Sequence, residues 1–325
     1  MSTFKHQNDK LGLIVGLDRA SIQPPPLIAF HPNEDSTAST TSTLNTQGRK
    51  YALVTGVGKG GIGDALAHEM RQQGYEVFGT LLPHESREHL ISSGIHAFNA
   101  DVTSDEDTVR LMKALEPLCE GRLDVLVNNA GICYTMPATD TQVSEVEKMF
   151  KVNVFGPMRM VHFFHPWLVA AKGVVVNIGS VGGICPYIYG ASYNSSKAAL
   201  HHYGNTLRAE LKPFGVRVMT VISGEIQTNI LRHDRTRMLP EDSLFAPLKA
   251  AFSNHVGRTP KTMTPQIYAK AVVQEAMKQK PKAWFWYGPT TSLVWRMETF
   301  LPKDAWDSML WKWFNFDALV PKAGK

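Results

Sequence analysis

From residue 50 onward, short apolar runs alternate with longer stretches of helical spacing, and that alternation limits the fold more than any other feature. Segments 51–55, 75–80, 95–100, 123–127, 173–178 and 216–222 are compact and rich in Val, Ile and Leu. Between them, residues such as Ala65, Leu66 and Met70, or Val109, Leu111, Met112 and Leu115, recur with a period of about 3.6 residues. Runs that are apolar throughout suit strands buried on both faces, and strands separated by helices form parallel sheets. The connections are short enough for right-handed βαβ units. The expected architecture is α/β, a doubly wound parallel sheet in one domain spanning 50–290.

Composition narrows the class further. Of 325 residues, 43% are hydrophobic and 19% charged, which excludes wholesale disorder, collagen-like sequence and a disulfide miniprotein. Apolar runs such as 11–17 and 174–176 fall far short of the ~20 residues of a membrane helix. The net charge of +5 is spread along the chain, so nucleic acid is not an expected partner. Cys119, Cys133 and Cys185 are too few and too scattered for a disulfide framework or a metal site, and reduced thiols suit a cytosol-facing compartment. In segment 1–49, Asp18 and Arg19 follow the apolar stretch 11–17 at once, unlike a signal peptide. Pro24–Pro26 and the Ser/Thr-rich 36–43 then predict a disordered leader.

The first strand runs directly into Val54-Thr55-Gly56-Val57-Gly58-Lys59-Gly60-Gly61-Ile62-Gly63 and a helix. Glycines at that corner let the backbone turn sharply and approach a pyrophosphate, and the helix N-terminus offers free N–H groups to it. This is the Rossmann-type arrangement, and Gly56, Lys59, Gly61, Ile62 and Gly63 are candidate dinucleotide contacts. The end of the second strand, 80–83, has no carboxylate to hold the ribose 2′-hydroxyl of NAD. Lys59, with His84 and Arg87 nearby, could meet a 2′-phosphate instead, so NADP is favoured over NAD.

Tyr193 and Lys197 lie four apart at a helix start and share a face. A phenol titrates near ~10, and lowering that by three units takes ~4 kcal/mol. A lysine cation at ~4 Å in a partly screened site supplies about that much. The pair therefore suffices for acid–base chemistry at a carbonyl or alcohol. Ser180 ends a buried strand at the carboxyl edge, where open α/β sheets bind ligands. Segment 126–131 ends in Asn128-Asn129-Ala130-Gly131 at the same edge, and Asn153 interrupts an otherwise apolar helix.

Glycine loop, Asn-Asn-Ala-Gly, Ser180 and Tyr193-x-x-x-Lys197, in this order, resemble the short-chain dehydrogenase/reductase family over 50–290. Segments 128–131, 150–156 and 193–200 are most similar to fungal NADPH-dependent 1-acyldihydroxyacetone-phosphate reductases and their relatives in secondary metabolism. The resemblance implies Tyr193 as general acid/base, Lys197 on the nicotinamide ribose, Ser180 on the substrate oxygen, and Asn153 anchoring a water that links Lys197 to solvent. Asp101 would contact adenine, Asn128 and Gly131 line the cofactor cleft, and Ile226 and Thr228 meet the nicotinamide side. It also implies a homo-oligomer with dimer faces around 142–171 and 192–212, and a substrate cover in 232–261 that sets specificity. Two departures stand out. The glycine loop is one residue longer than usual, and Ser223-Gly224 replaces the usual Pro-Gly, which predicts a looser loop.

Six of the seven tryptophans fall between Trp284 and Trp313. In the extension 291–325, Trp306, Met309, Leu310, Trp313 and Phe314 form the apolar stripe of an amphipathic helix within 303–316. The stripe has two uses: packing on the domain or a partner subunit, or lying peripherally on an intracellular membrane. The expected activity is reduction of a lipophilic ketone, or oxidation of the alcohol, with acyl-dihydroxyacetone phosphate and a terpenoid or polyketide ketone both open. A catalytically idle dinucleotide sensor and a membrane-associated structural subunit are the rival readings.

Overall fold

The computed structural model describes residues 48–228, 230, 234–258 and 262–320, so the expected leader falls almost wholly outside the described residues. Seven parallel strands form one sheet in the order β3-β2-β1-β4-β5-β6-β7. They are β1 (Lys50–Thr55), β2 (Tyr75–Leu81), β3 (His96–Asn99), β4 (Val125–Asn128), β5 (Val174–Ile178), β6 (Arg217–Ser223) and β7 (Trp284–Tyr287). Six coincide with the apolar runs. The seventh, Trp-Phe-Trp-Tyr, is short and wholly aromatic, so it carries no Val/Ile signature and reads in sequence as part of the aromatic tail.

Alternate residues along each strand feed opposite layers. On one face Ala52, Val54, Val125 and Val127 pack under α1 (Ile62–Gln72) and α8 (Pro265–Ala276). On the other, Leu53, Leu126 and Val175 meet α3 (Asp105–Cys119), α5 (Gly156–Ala171) and α6 (Ala191–Leu211). Between these lie the short α2 (Glu88–Ile91), α4 (Val143–Phe150) and α7 (Lys249–Gly257). Ser104 caps α3, accepting the Asp107 N–H at 3.1 Å and fixing where that helix leaves β3. Strand order reverses between β1 and β4, which opens a crevice at the carboxyl edge of the sheet.

The tail forms α9 (Thr291–Phe300), α10 (Ala305–Trp313) and a final turn, Phe316–Leu319. Trp306 and Leu310 are buried with Cys185, Val294 and Met297, and Met309 and Phe314 pack at the edge of that cluster. The apolar stripe is thus largely occupied by the domain itself, while Trp311 and Trp313 stay exposed. Among the described residues, no helix is long and apolar enough to cross a membrane.

Candidate active site

The crevice is a cleft of about 1450 Å³ running from the glycine loop to the C-terminal helices. Gly56 turns with φ +69°, and a Cβ there would lie 2.8 Å from the Ala130 Cα. A Cβ on Gly63 would lie 2.4 Å from Asn129 Nδ2, which donates to the carbonyls of Thr55 and Gly56 at 2.9 Å each. These glycines are therefore dictated by packing of the turn against the end of β4. The extra loop residue is absorbed in a turn: Gly61 N–H donates to Gly58 O (3.0 Å), and left-handed Gly60 donates to Asp64 Oδ2 (2.8 Å). The first helical bond runs from Ala65 N–H to Gly61 O at 3.2 Å, which leaves the N–H groups of Ile62 and Gly63 without an intrahelical acceptor.

A pyrophosphate fits this corner, since the missing side chains bare the backbone and the helix dipole favours an anion. Gly56, Lys59, Gly61 and Ile62 line the cleft. Two expectations change in detail. The Gly61 N–H is used inside the turn, and Gly63 is a packing glycine outside the lining.

Asp101 lines the cleft, its carboxylate held by the Thr103 N–H at 2.8 Å. Asn128 does not: it is buried, and its Nδ2 donates to Asn177 Oδ1 at 2.9 Å, while Asn129 and Gly131 form the wall. Asn128 closes β4 with its side chain in the sheet interior, and Asn129, the first residue past the strand, lies at the cleft with its amide on the Thr55 and Gly56 carbonyls. Arg87 turns away to Ala97 O (3.4 Å), and neither it nor His84 lines the cleft. Glu85 does, although sequence reasoning passed over it. Its carboxylate folds back onto the Leu82 N–H (2.9 Å) and abuts Gly58, at the same end as Lys59.

Ser180, Tyr193 and Lys197 converge on the middle of the cleft, with Ile226 and Thr228 on its wall. Lys197 Nζ donates to Ile178 O at 2.9 Å and lies 5.7 Å from the centroid of the Tyr193 ring. Here electrostatics depart from the expectation of an acidified phenol. Burial raises the Tyr193 pKa well above the ordinary value, and a hydrogen bond with Ser180 only partly counters it. The buried Lys197 is pushed down from 10.5 to about 8, chiefly by desolvation. Without a ligand, desolvation outweighs attraction, and both groups lean toward their neutral forms. The nearby Cys133 thiol is pushed up to about 12 by burial, so it is an unreactive lining group.

The lysine shift implies a measurable stability dependence. Below about pH 8 Lys197 is protonated in both folded and unfolded chains, so the penalty for burying its charge is fully present. As pH rises from there toward 10.5, the folded form releases a proton that the unfolded form keeps, and stability rises. Wild type should therefore gain on Lys197→Met by up to about 3 kcal/mol across that window. A stability gap that stays constant with pH in paired melts would show the ammonium to be well solvated.

Asn153 sits in a π-helical turn, Lys151–Phe155, between α4 and α5. Its Oδ1 accepts the Ile132 N–H and its Nδ2 donates to Ile132 O (2.9 Å each) and to Ser196 Oγ (3.0 Å), clamping the strand-4 loop to α6. This amide is buried and engaged with protein groups, and Lys197 is not among those partners.

Of the expected substrate cover, 232–261, the described part, 234–258, is less loop-like than Pro240 and Pro247 suggest, since it carries α7, and the rest lies outside the described residues. Asp234, fully buried, accepts from Thr135 N–H (3.0 Å), Thr135 Oγ1 (2.6 Å) and Arg237 Nε (2.9 Å), pinning the cover to the strand-4 loop. The first residues after β6 are tied down as well. Ser223 Oγ hydrogen-bonds the Tyr268 hydroxyl, and Gly224 N–H donates to Tyr287 O at 3.0 Å, which supplies the restraint a proline would give. Val181, Cys185, Leu293, Val294, Leu310 and Trp313 make the far wall apolar.

A glycine-turned dinucleotide crevice with a Ser, Tyr and Lys at its centre defines an oxidoreductase of the CH–OH/C=O class. The chain belongs to the short-chain dehydrogenase family, whose model matches residues 50–238. It is 55% identical over 278 residues to short-chain dehydrogenase RED1 of Pyricularia oryzae, covering 85% of this chain and 98% of that protein. It is 37% identical over 230 residues to the NADPH-dependent 1-acyldihydroxyacetone phosphate reductase of Schizosaccharomyces pombe, covering 69% and 77%. A short-chain dehydrogenase from Streptomyces avermitilis has the same fold, with a TM-score of 0.67 at 26% identity over 83% of this chain and 97% of the other.

Proposed function

We propose that this protein is an NADP(H)-dependent reductase of a lipophilic ketone, able to run in reverse on the secondary alcohol. The observation that carries the reading is the convergence of Ser180, Tyr193 and Lys197 between a glycine corner and an apolar wall in one cleft. The coenzyme, when bound, supplies the hydride at its nicotinamide ring. Ser180 hydrogen-bonds the carbonyl oxygen and stabilises negative charge building there. Tyr193 gives that oxygen a proton, and its raised pKa keeps it protonated at neutral pH, as the reducing direction requires. Lys197 holds the nicotinamide ribose, the Ile62 N–H at the helix N-terminus holds the pyrophosphate, and Asp101 holds the adenine. Ile226 and Thr228 flank the nicotinamide. Lys59 meets the 2′-phosphate. The named coenzyme of the Schizosaccharomyces pombe relative supports the same choice.

The apolar wall favours substrates with an extended hydrocarbon or ring system, such as an acylated dihydroxyacetone phosphate or a terpenoid or polyketide ketone. Because α10 gives much of its apolar stripe to the domain, we read the tail as a wall of the substrate cleft rather than a bilayer anchor. The subunit is read as part of a homo-oligomer in a cytosol-facing compartment.

The test is NADPH oxidation against a panel of ketones graded in apolar size, with coenzyme titrations alongside. Turnover should rise with apolar size, and silence across the panel would leave an idle binding protein. Lys59→Ala should weaken NADPH by roughly tenfold while NADH changes little, because a charge-assisted hydrogen bond is lost. Equal losses for both coenzymes would refute the phosphate contact.

A further inference from the structure

Behind the Ser180 loop lies a buried histidine with no part in the chemistry above. His201 stands one helical turn beyond Lys197, so Tyr193, Lys197 and His201 form three successive rungs on one face of α6. It is 2% exposed, and its Nε2 accepts a hydrogen bond from the Ser180 N–H at 3.2 Å.

The loop is shaped around this ring. A Cβ on Gly179 would lie 2.3 Å from His201 Nε2, and one on Gly183 would lie 2.5 Å from its Cε1. Both positions must stay bare for the imidazole to fit. Trp284 of β7 packs against the ring with centroids 5.7 Å apart. Gly179 N–H donates to Val221 O at 2.8 Å, tying the start of the loop to β6.

Accepting at Nε2 places the ring proton on Nδ1. Burial, and then the Lys197 ammonium, push the His201 pKa down to about 3, so the acceptor lone pair persists at any ordinary pH. Ser180 Oγ meanwhile accepts from Gly182 N–H at 3.0 Å, which commits one side of the hydroxyl to the loop and leaves its proton to donate on the Tyr193 side of the cleft. The backbone of Ser180 is thus held by His201 and its side chain by Gly182.

We propose that His201 is a positioning residue for this reaction: by accepting the Ser180 amide from inside the loop, it fixes the serine hydroxyl where it and Tyr193 can meet one carbonyl oxygen. The inference rests on the reading of Ser180 as the donor to that oxygen. It predicts a defect in transition-state stabilisation with ground-state binding kept, because His201 touches neither substrate nor coenzyme.

His201→Leu, which fills similar space without an acceptor, should lower kcat roughly tenfold or more, with ketone KM and NADPH affinity near wild type. His201→Gln, whose amide oxygen can take the place of Nε2, should recover most of that loss. A merely structural role would not distinguish the two. In a Ser180→Ala background His201→Leu should cost little further, since the group it positions is already gone. A Gln variant as impaired as the Leu variant, or a loss that adds in full to that of Ser180→Ala, overturns the proposal. Should Leu fail to fold, the Gln variant alone decides: kcat near wild type with an unchanged melt upholds the acceptor role, and a fall as deep as that of Ser180→Ala refutes it. If Ser180→Ala itself retains full turnover, the functional reading fails first, and that result is separable from failure of the histidine.

Discussion

Tyr193→Phe is expected to lower kcat for ketone reduction by about a thousandfold, within the range that a positioned general acid contributes, while NADPH affinity stays near wild type. The substitution removes one oxygen and keeps the ring that packs beside the cluster of Tyr134, Met149 and Tyr189. Folding should therefore be spared, and the loss is chemical. The phenol in the free protein is held well above its ordinary pKa by desolvation, so reduction should not fall with pH through loss of the Tyr193 proton until strongly alkaline conditions. Any fall near pH 8 belongs instead to Lys197, whose buried ammonium titrates there. The two assignments separate in kcat/KM profiles of the free enzyme, where Lys197→Arg should move the lower limb alone. A Phe variant with half the parent turnover would end the case for Tyr193 as proton donor.

What the sequence revealed of this site was what is local. Tyr193 and Lys197 share a helix face at a spacing that any reader can count, and Ser180 ends a strand whose apolar run announces it. The glycine corner follows the same logic, because a strand, a turn and a helix N-terminus are contiguous in the chain. Long-range partners had no such signal. Asp234 meets Thr135 across 99 residues, and Trp284 meets His201 only because β7 joins the sheet edge. Asn128 and Asn129 differ by one position at the strand end, and no composition argument tells which lines the cleft. The extra loop residue is another such case: its effect depended on Gly60 adopting φ +76° and on Asp64 reaching back to it. Glu85 was invisible because the carboxylate comes from past the strand end and returns through the Leu82 amide. Fold class survived these gaps because it depends on the summed pattern of strands and helices rather than on any one partner.

Trp306→Ala should destabilise the protein by about 3–5 kcal/mol and reshape substrate choice without touching the coenzyme. Trp306 is 4% exposed, packs with Val294, Met297, Leu310 and Cys185, and donates its Nε1–H to Glu298 at 2.8 Å. Truncation empties a large volume and deprives Glu298, a mostly buried carboxylate, of one of its donors. The same ring lines the cleft on the substrate side, while the glycine turn and Asp101 lie at the other end. Consequently kcat/KM for a long or polycyclic ketone should fall further than for a small one, with NADPH affinity unchanged. Equal losses on large and small ketones would mean that α10 supports the fold without shaping the pocket. The alternative use of the stripe has a separate signature. If Trp306→Ala keeps its melting temperature but no longer pellets with anionic vesicles that capture the parent protein, the ring faces lipid in the working enzyme and the tail is an anchor after all. Physical chemistry weighs against that outcome: a tryptophan already removed from water by its own domain gains nothing further from a bilayer, so membrane affinity would have to come from the exposed Trp311 and Trp313.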